Sequence, residues 1–149
     1  MAIQRITPEH AKELLDSNSG YVFIDVRTPR EFDASHVPGA KNIPIFQQDF
    51  WGRMQFNPRF ADIVEANFGK EAKLIIGCQM GGRSLRAAEM LACAGFKSVV
   101  DMRGGFSGEC DAFGRMVFPG WSARGLPATG DSAPAERYDA LKKNGCKSE

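Results

Sequence analysis

The chain has 149 residues, a length at which one domain with a substantial core is expected. Its hydrophobic share of 43% and charged share of 25% are typical of a soluble globular protein, and its net charge of +1 argues against a dedicated nucleic-acid-binding protein. Four scattered cysteines and two histidines, without a Cys-x-x-Cys motif, argue against both a disulfide framework and a structural zinc site.

Helices and strands are predicted to alternate along the chain. Thr-Pro pairs at 7–8 and 28–29 each supply a helix N-cap and a first helical residue. In chain order the predicted elements are a helix over 8–16, a buried strand over 21–26, a helix opening at 28–32, an extended piece at 43–45, a helix from 58 to 69, a strand at 74–76, a helix over 83–94 and a strand over 98–102. This alternation predicts an α/β fold with a largely parallel sheet and helices on both faces.

Two stretches fit this pattern less well. The aromatic-rich residues 46–57 resist assignment, and we expect Phe50, Trp51 and Phe56 to pack under a long loop, with the mouth of a pocket as the alternative. We expect a single domain over residues 1–130, followed by a polar tail over 131–149 that carries one short helix near 134–143.

Structural positions are expected for the cysteines outside the central motif. Cys93, among apolar neighbours in a helix, is predicted to lie in the core, and Cys146 in the polar tail. Cys110 is predicted to lie in a loop, and the alternative is that it lies close enough to Cys78 to resolve its oxidised or persulfidated form. Asp25 and Arg27, at the end of a predicted strand, are interpreted as a structural ion pair. His36, which precedes Val-Pro-Gly in a turn, is expected to hydrogen-bond the backbone.

Residues 73–84 carry the strongest functional signal. A short apolar run ends at Cys78, a glycine-bearing turn follows, and a helical pattern starts near Arg83. Backbone amides of such a turn and the positive end of the helix dipole stabilise a thiolate, and a nearby guanidinium adds to the effect. The sequence therefore predicts a reactive cysteine that handles anions.

An ordered set of motifs resembles the single-domain rhodaneses, which are thiosulfate-type sulfurtransferases. The matching segments are Asp25-Val26-Arg27 with Glu31-Phe32, His36-Val37-Pro38-Gly39-Ala40 with Asn42-Ile43-Pro44, the run 78–84 with Ala87-Ala88 and Leu91, Gly104-Gly105, and Gly120-Trp121 through Gly125-Leu126-Pro127. The resemblance implies a rhodanese-like α/β fold with the nucleophile at the carboxyl edge of the sheet. The stretch from 106 to 119 is longer than the minimal family pattern.

The resemblance also implies a set of site residues. Cys78 is the expected nucleophile and carries the transferred sulfur as a persulfide. The loop that follows is expected to cradle the bound sulfur and the substrate anion, through inward amides between Met80 and Ser84; its residues are Gln79, Met80, Gly81, Gly82, Arg83 and Ser84. Arg83 has two open roles, to lower the pKa of the thiol and guide the donor, or to anchor the loop by pairing with a carboxylate.

The loop length bears on the alternatives. Four residues separate Cys78 from Arg83, whereas cysteine phosphatases that resemble this fold use five and usually carry a histidine before the cysteine, where this chain has Gly77. The spacing favours sulfur transfer over a phosphatase or arsenate-reductase-like activity. A non-catalytic binding module is the third hypothesis, although its usual sign is a missing nucleophile.

The implied chemistry needs no cofactor and no metal. The expected substrates are thiosulfate or a persulfide as donor and a thiol or cyanide as acceptor, with a thioredoxin-like or sulfur-carrier protein as a further partner. Nucleic acid and membrane are not expected partners. A monomer in the cytoplasm is the expected state of the chain.

Overall fold

The computed structural model describes residues 3–145. Its elements, in chain order, are β1 (Gln4–Ile6), α1 (Pro8–Asp16), β2 (Tyr21–Asp25), α2 (Pro29–Ala34), β3 (Lys41–Asn42), β4 (Phe46–Gln48), β5 (Met54–Phe56), α3 (Phe60–Phe68), β6 (Lys73–Gly77), α4 (Gly82–Cys93), β7 (Ser98–Met102), β8 (Gly108–Cys110), β9 (Met116–Pro119) and α5 (Tyr138–Gly145). Two single-turn 3₁₀ helices lie at Ser122–Arg124 and Pro134–Glu136.

A five-stranded sheet in the order β1-β7-β6-β2-β3 forms the centre of the molecule, and each neighbouring pair is parallel. Side chains alternate between its two faces. Phe23 and Ile75 pack with Ala11 of α1 and Phe32 of α2, whereas the opposite face of the sheet packs against α3, α4 and α5. The predicted α/β architecture, with a mostly parallel sheet between helices, is confirmed.

Both Thr-Pro pairs begin helices as the sequence predicts. The Thr7 hydroxyl accepts a hydrogen bond from the His10 amide, and the Thr28 side chain forms a capping box with Glu31. Such caps satisfy amides that have no partner within the helix. The capping box also fixes the Glu31 side chain at the carboxyl edge of the sheet, beside the predicted nucleophile loop.

Two hairpins account for the stretches that the sequence left unassigned. In β4–β5, Asp49 accepts hydrogen bonds from the amides of Trp51 and Arg53, and Asp111 does the same for Phe113 and Arg115 in β8–β9. The two tips therefore share the pattern Asp-x-aromatic-Gly-Arg-Met. The expectation that the aromatic side chains at 50–56 pack under a loop is wrong: Phe50 is 90% exposed and Trp51 74%.

The C-terminal helix α5 packs against the main sheet domain. Tyr138 and Leu141 are buried in the same cluster as α3 and α4, and the Asn67 side chain donates to the carbonyl of Leu141 at 2.9 Å. The helix predicted near 134–143 is thus a 3₁₀ turn followed by α5. The placing of a domain boundary at residue 130 stays a prediction.

Cys93 and Cys110 lie away from the core. Cys93 is exposed, so its predicted core position is wrong: it lies on the face of α4 opposite to the buried Leu91. Cys110 is exposed at the end of strand β8, so its predicted loop position is wrong, and Cys146 lies outside the described residues. Over residues 3–145 no helix is both long and apolar enough to cross a bilayer, and no cluster of three or more metal-ligating side chains occurs.

Candidate active site

Cys78 directly follows β6, at the carboxyl edge of the central sheet. Its side chain is 2% exposed, and the amide of Gly81 donates a hydrogen bond to Sγ at 3.1 Å. Gly81 has a φ of 104°, a left-handed conformation that favours glycine and turns this amide toward the sulfur. Helix α4 starts at the next residue, so the sulfur lies near the positive end of a 12-residue helix.

The segment after β7 braces this loop through backbone hydrogen bonds. The amide of Phe106 donates to the carbonyl of Cys78 at 2.7 Å, and that of Ser107 to the carbonyl of Gln79 at 2.9 Å. A side chain at Gly105 would lie 2.6 Å from the Cys78 oxygen and from the Gln79 backbone. Only glycine fits at this contact, which explains why the Gly-Gly pair stands here.

Arg83 points toward α2 and forms a two-pronged ion pair with Glu31, at 2.9 and 3.0 Å. Burial alone raises the pKa of Glu31, but hydrogen bonds from Arg83 and Thr28 outweigh it and lower this pKa to about 2. The same contact, together with the nearby Cys78 and Asp25, raises the pKa of Arg83 above its usual value. The pair with Glu31 is the carboxylate contact expected if Arg83 anchors the loop. The alternative role, in which Arg83 lowers the pKa of the Cys78 thiol, stays a prediction.

Arg27 belongs to the candidate site, although the sequence indicated it only as the partner of Asp25 in a structural ion pair. It does pair with Asp25 at 2.8 Å, and it also donates to the Gln79 side chain at 2.7 Å and to the Ser35 carbonyl. Its guanidinium stacks on the ring of Phe106. This buried arginine therefore ties the first residue after Cys78 to α2.

A cavity of about 360 Å³ opens beside this cluster. Its lining comes from three segments that are distant in the sequence: Arg27, Glu31, Ala34, Ser35, Gln79 and Phe106. By the same measure of volume, one water molecule needs only about 10–15 Å³. The cavity is large enough for a small anion next to the nucleophile loop.

Ser84 and Asp101 form a second cluster behind the sulfur. The Cys78 thiol donates to Ser84 Oγ at 3.4 Å, and Ser84 Oγ lies 2.5 Å from Asp101 Oδ1. Arg5 Nε donates to the other carboxylate oxygen at 2.9 Å. No sequence pattern pointed to Asp101, because its proximity to Ser84 depends on the pairing of β7 beside β6.

The remaining loop residues have different surroundings. Met80 is about half exposed at the rim, and Gly82 opens α4 with free space around it. Of the amides expected to point inward between Met80 and Ser84, that of Gly81 contacts the sulfur. The structure brings Cys78, Gly81 and Ser84 together, while Arg83 reaches away to α2.

Gly77, the residue before Cys78, is tightly packed against the ring of Phe23. A Cβ atom on Gly77 would lie 2.4 Å from Cζ of Phe23, which is buried and meets Trp121 edge to face. His36 lies buried in the same half of the molecule, stacked on Phe32, and its Nδ1 is 2.6 Å from the Phe32 carbonyl. The ring of Phe23 therefore occupies the space that a side chain at position 77 would need.

The surroundings of the site are apolar and exposed. The large apolar side chains that the described residues leave most exposed are Phe50, Trp51, Met54, Phe56, Met80, Phe113, Met116 and Val117. All of them lie in the two hairpins or in the nucleophile loop. Both hairpins follow carboxyl ends of sheet strands, β3 and β7, so they stand on the edge that carries Cys78.

Comparison with known proteins supports the motif-based resemblance. Residues 7–111 match the model of the Rhodanese-like domain. Thiosulfate sulfurtransferase 16, chloroplastic, of Arabidopsis thaliana is 39% identical over 109 residues, which cover 73% of this chain and 80% of that protein. Protein HIGH ARSENIC CONTENT 1, mitochondrial, of the same plant is 40% identical over 95 residues, with 64% and 56% covered.

Among solved structures, Rv0390 from M. tuberculosis superposes with a TM-score of 0.71 at 28% identity, over 88% of this chain and 100% of that one. The chain spans about half the length of several other curated relatives. The match to the family model covers well over half of the chain and includes the loop that carries Cys78. The protein therefore belongs to the rhodanese-like domain family.

Proposed function

We propose that the protein is a sulfurtransferase that carries sulfane sulfur as a persulfide on Cys78. The observation that carries this proposal is the setting of Cys78 Sγ, which receives the Gly81 amide at 3.1 Å beside the start of α4. Both features favour a negative charge on sulfur. The relative named thiosulfate sulfurtransferase is consistent with the same chemistry.

The proposed reaction proceeds in two displacements. The Cys78 thiolate attacks the outer sulfur of thiosulfate; a new S–S bond forms, the S–S bond of thiosulfate breaks, and sulfite leaves with the electron pair. The product is an anionic persulfide on Cys78. Cyanide or an acceptor thiolate then attacks the terminal sulfur, and the Cys78 thiolate leaves. Such a covalent intermediate predicts ping-pong kinetics.

The negative charge of the persulfide is expected to be stabilised mainly by groups that already have the required position in the folded protein. The Gly81 amide and the dipole of α4 need no reorganisation to face a charge on sulfur, and preorganised donors of this kind contribute several kcal/mol, of the order of 3, in other enzymes. The braces from Phe106 and Ser107 and the Arg83–Glu31 pair hold the loop in this shape. The cavity beside Gln79 gives space for the donor.

We further propose that a protein, such as a thioredoxin-like or sulfur-carrier protein, is one physiological acceptor. Cys78 is nearly buried, and the exposed apolar side chains surround the edge on which it opens. Aromatic and methionine side chains are enriched in protein interfaces. Each hairpin tip is also electrically neutral, because Arg53 pairs with Asp49 and Arg115 with Asp111.

The decisive test is mass spectrometry of the intact protein after incubation with thiosulfate. The expected result is the addition of one sulfur atom to the wild-type protein. Cyanide should remove this adduct, and Cys78→Ser should prevent its formation. The exposed Cys93 provides a matched control, since Cys93→Ser should leave the adduct unchanged. An adduct that survives in Cys78→Ser would overturn the assignment of the nucleophile.

Arsenate reduction is a second candidate, favoured by the name of one relative, HIGH ARSENIC CONTENT 1. The four-residue loop and the lack of room for a side chain at Gly77 weigh against a wider oxyanion cradle. Arsenate turnover with a thiol reductant, at a rate that rivals sulfur transfer, would establish this candidate. Failure of every donor to modify Cys78 would instead favour a non-catalytic binding module.

A further inference from the structure

The hydroxyl of Ser84 can donate a hydrogen bond to only one of its neighbours at a time. Ser84 Oγ carries one hydrogen and has three neighbours within 3.4 Å: Asp101 Oδ1, the Gly81 carbonyl and Cys78 Sγ. An ionised carboxylate is the strongest acceptor of the three. With Asp101 ionised, Ser84 therefore donates to Asp101 and turns a lone pair toward the sulfur, which stabilises the protonated thiol.

The opposite arrangement stabilises the thiolate. If Asp101 holds the proton, its carboxyl group donates to Ser84, and the Ser84 hydroxyl is free to donate to Cys78 Sγ. The two states differ by a shift of two protons along the chain Cys78–Ser84–Asp101. The thiol gives its proton to Ser84 Oγ while Ser84 gives its own to Asp101 Oδ1, so no proton or charge is gained or lost.

We infer that Asp101 is a positioning residue that accepts the Cys78 proton through Ser84 and so sets the fraction of reactive thiolate. The inference rests on the proposed function, in which Cys78 is the nucleophile. Because Cys78 is 2% exposed, direct loss of its proton to solvent is hindered, and the internal acceptor provides another route.

The charges around the pair are compatible with this exchange. Burial raises the pKa of Asp101, although hydrogen bonds from Ser84 and Arg5 oppose the shift, and Glu89 on α4 raises it further. A carboxylate with a raised pKa accepts a proton more readily. On the sulfur side, the Gly81 amide and Arg83 favour the thiolate, while Glu31 neutralises much of the Arg83 charge.

A shared proton has a recognisable signature in a pH profile. Two strongly coupled groups titrate as a pair, in two steps. Below the first step both are protonated; between the steps one proton is shared and part of the population is thiolate; above the second step Cys78 is fully ionised. The rate of Cys78 alkylation is therefore expected to rise in two limbs separated by a plateau.

The test measures alkylation of Cys78 by iodoacetamide between pH 4 and 10, read by mass spectrometry of the peptide that contains it. Asp101→Asn and Ser84→Ala should each give one limb without a plateau. At the pH of the plateau, Asp101→Asn is expected to react faster than the wild-type protein, because the asparagine amide donates to Ser84 as the protonated carboxyl does and no ionised carboxylate remains to favour the thiol.

Arg5→Met supplies a matched control that keeps the carboxylate and removes its ionic partner. It should retain the plateau while the acidic limb moves to higher pH, a change that loss of packing alone would not produce. Circular dichroism and urea unfolding verify that each variant is folded. Should a variant fail to fold, Asp101→Glu, which retains an acidic group, serves as a second probe and should keep two limbs.

The outcomes separate this inference from the proposed function. A profile of Asp101→Asn or Ser84→Ala that superimposes on that of the unmodified protein overturns the proton transfer, whatever the sulfur-transfer activity. The measurement uses no sulfur donor, so it remains valid if thiosulfate leaves no adduct. In that case the proposed function fails, and the pH profile still decides whether Cys78 exchanges a proton with Asp101.

Discussion

Replacing Glu31 by glutamine tests the anchor of the nucleophile loop. The pKa of Glu31 falls from its ordinary value of 4.5 to about 2 in the folded protein. That difference corresponds to at most about 3 kcal/mol of folding free energy. The Glu31 side chain is 33% exposed, and solvent screening reduces the expected loss in Glu31→Gln to about 1–2 kcal/mol at pH 7. Glutamine keeps an acceptor oxygen for the Thr28 amide, so the helix cap is retained.

The sign of the pH dependence follows from the direction of the pKa change. A carboxylate whose pKa is lower in the folded state stabilises that state above its unfolded pKa. The contribution of Glu31 is therefore complete above about pH 4.5 and disappears as the pH falls toward 2. Urea unfolding at several values between pH 7 and 2.5 should show the two proteins converging at the acidic end.

A matched control comes from Glu65, which pairs with Lys70 at 3.8 Å on an open surface. Glu65→Gln should change the free energy of unfolding by less than about 0.5 kcal/mol at any pH. A double-mutant cycle with Arg83→Met isolates the pair itself. A difference between Glu31→Gln and the unmodified protein that is constant with pH would refute the ion-pair reasoning, as would no difference at pH 7.

Three other substitutions probe the brace, the hairpins and the last helix. Gly105→Ala forces a Cβ atom into the backbone of the nucleophile loop, so we expect a loss of about 3 kcal/mol or more in unfolding experiments and no persulfide on mass spectra. A Trp51→Ser, Phe113→Ser double variant should raise KM for a protein acceptor several-fold and leave thiosulfate:cyanide kinetics and stability unchanged; equal KM values would exclude the hairpins from docking. Leu141→Ala should cost about 2–4 kcal/mol by urea unfolding, whereas a value near zero would mean that α5 is dispensable to the core.

Local signals explain why the helices and central strands were predictable. Thr7 and Thr28 cap the residues immediately after them, and the strand predicted over 98–102 has the bounds that the structure gives to β7. Cys93 was misplaced because the apolar run around it hid the helical period, which places Leu91 inward and the cysteine outward. The hairpins were not predictable, because strands of only three or four residues show too little alternation between apolar and polar side chains.

The contacts that shape the candidate site lie beyond local patterns. Arg27 meets Gln79, and Glu31 meets Arg83, across 52 positions of sequence in each case. These contacts exist because β2 and β6 are neighbours in the sheet, so the loops after them share one edge. The prediction that Cys78 is the nucleophile followed from its strand–turn–helix setting, whereas Asp101 became visible only once β7 was placed beside β6.

The contact between Gly77 and Phe23 limits how this chain can change during evolution. Any side chain gained at position 77 must displace a ring that is buried against Trp121. A histidine in front of the nucleophile, as in the phosphatases that resemble this fold, would therefore need a simultaneous smaller residue on β2. A loop longer by one residue would therefore not by itself turn this site into a phosphatase-like site. A smaller residue at the position of Phe23 in the core would also be needed.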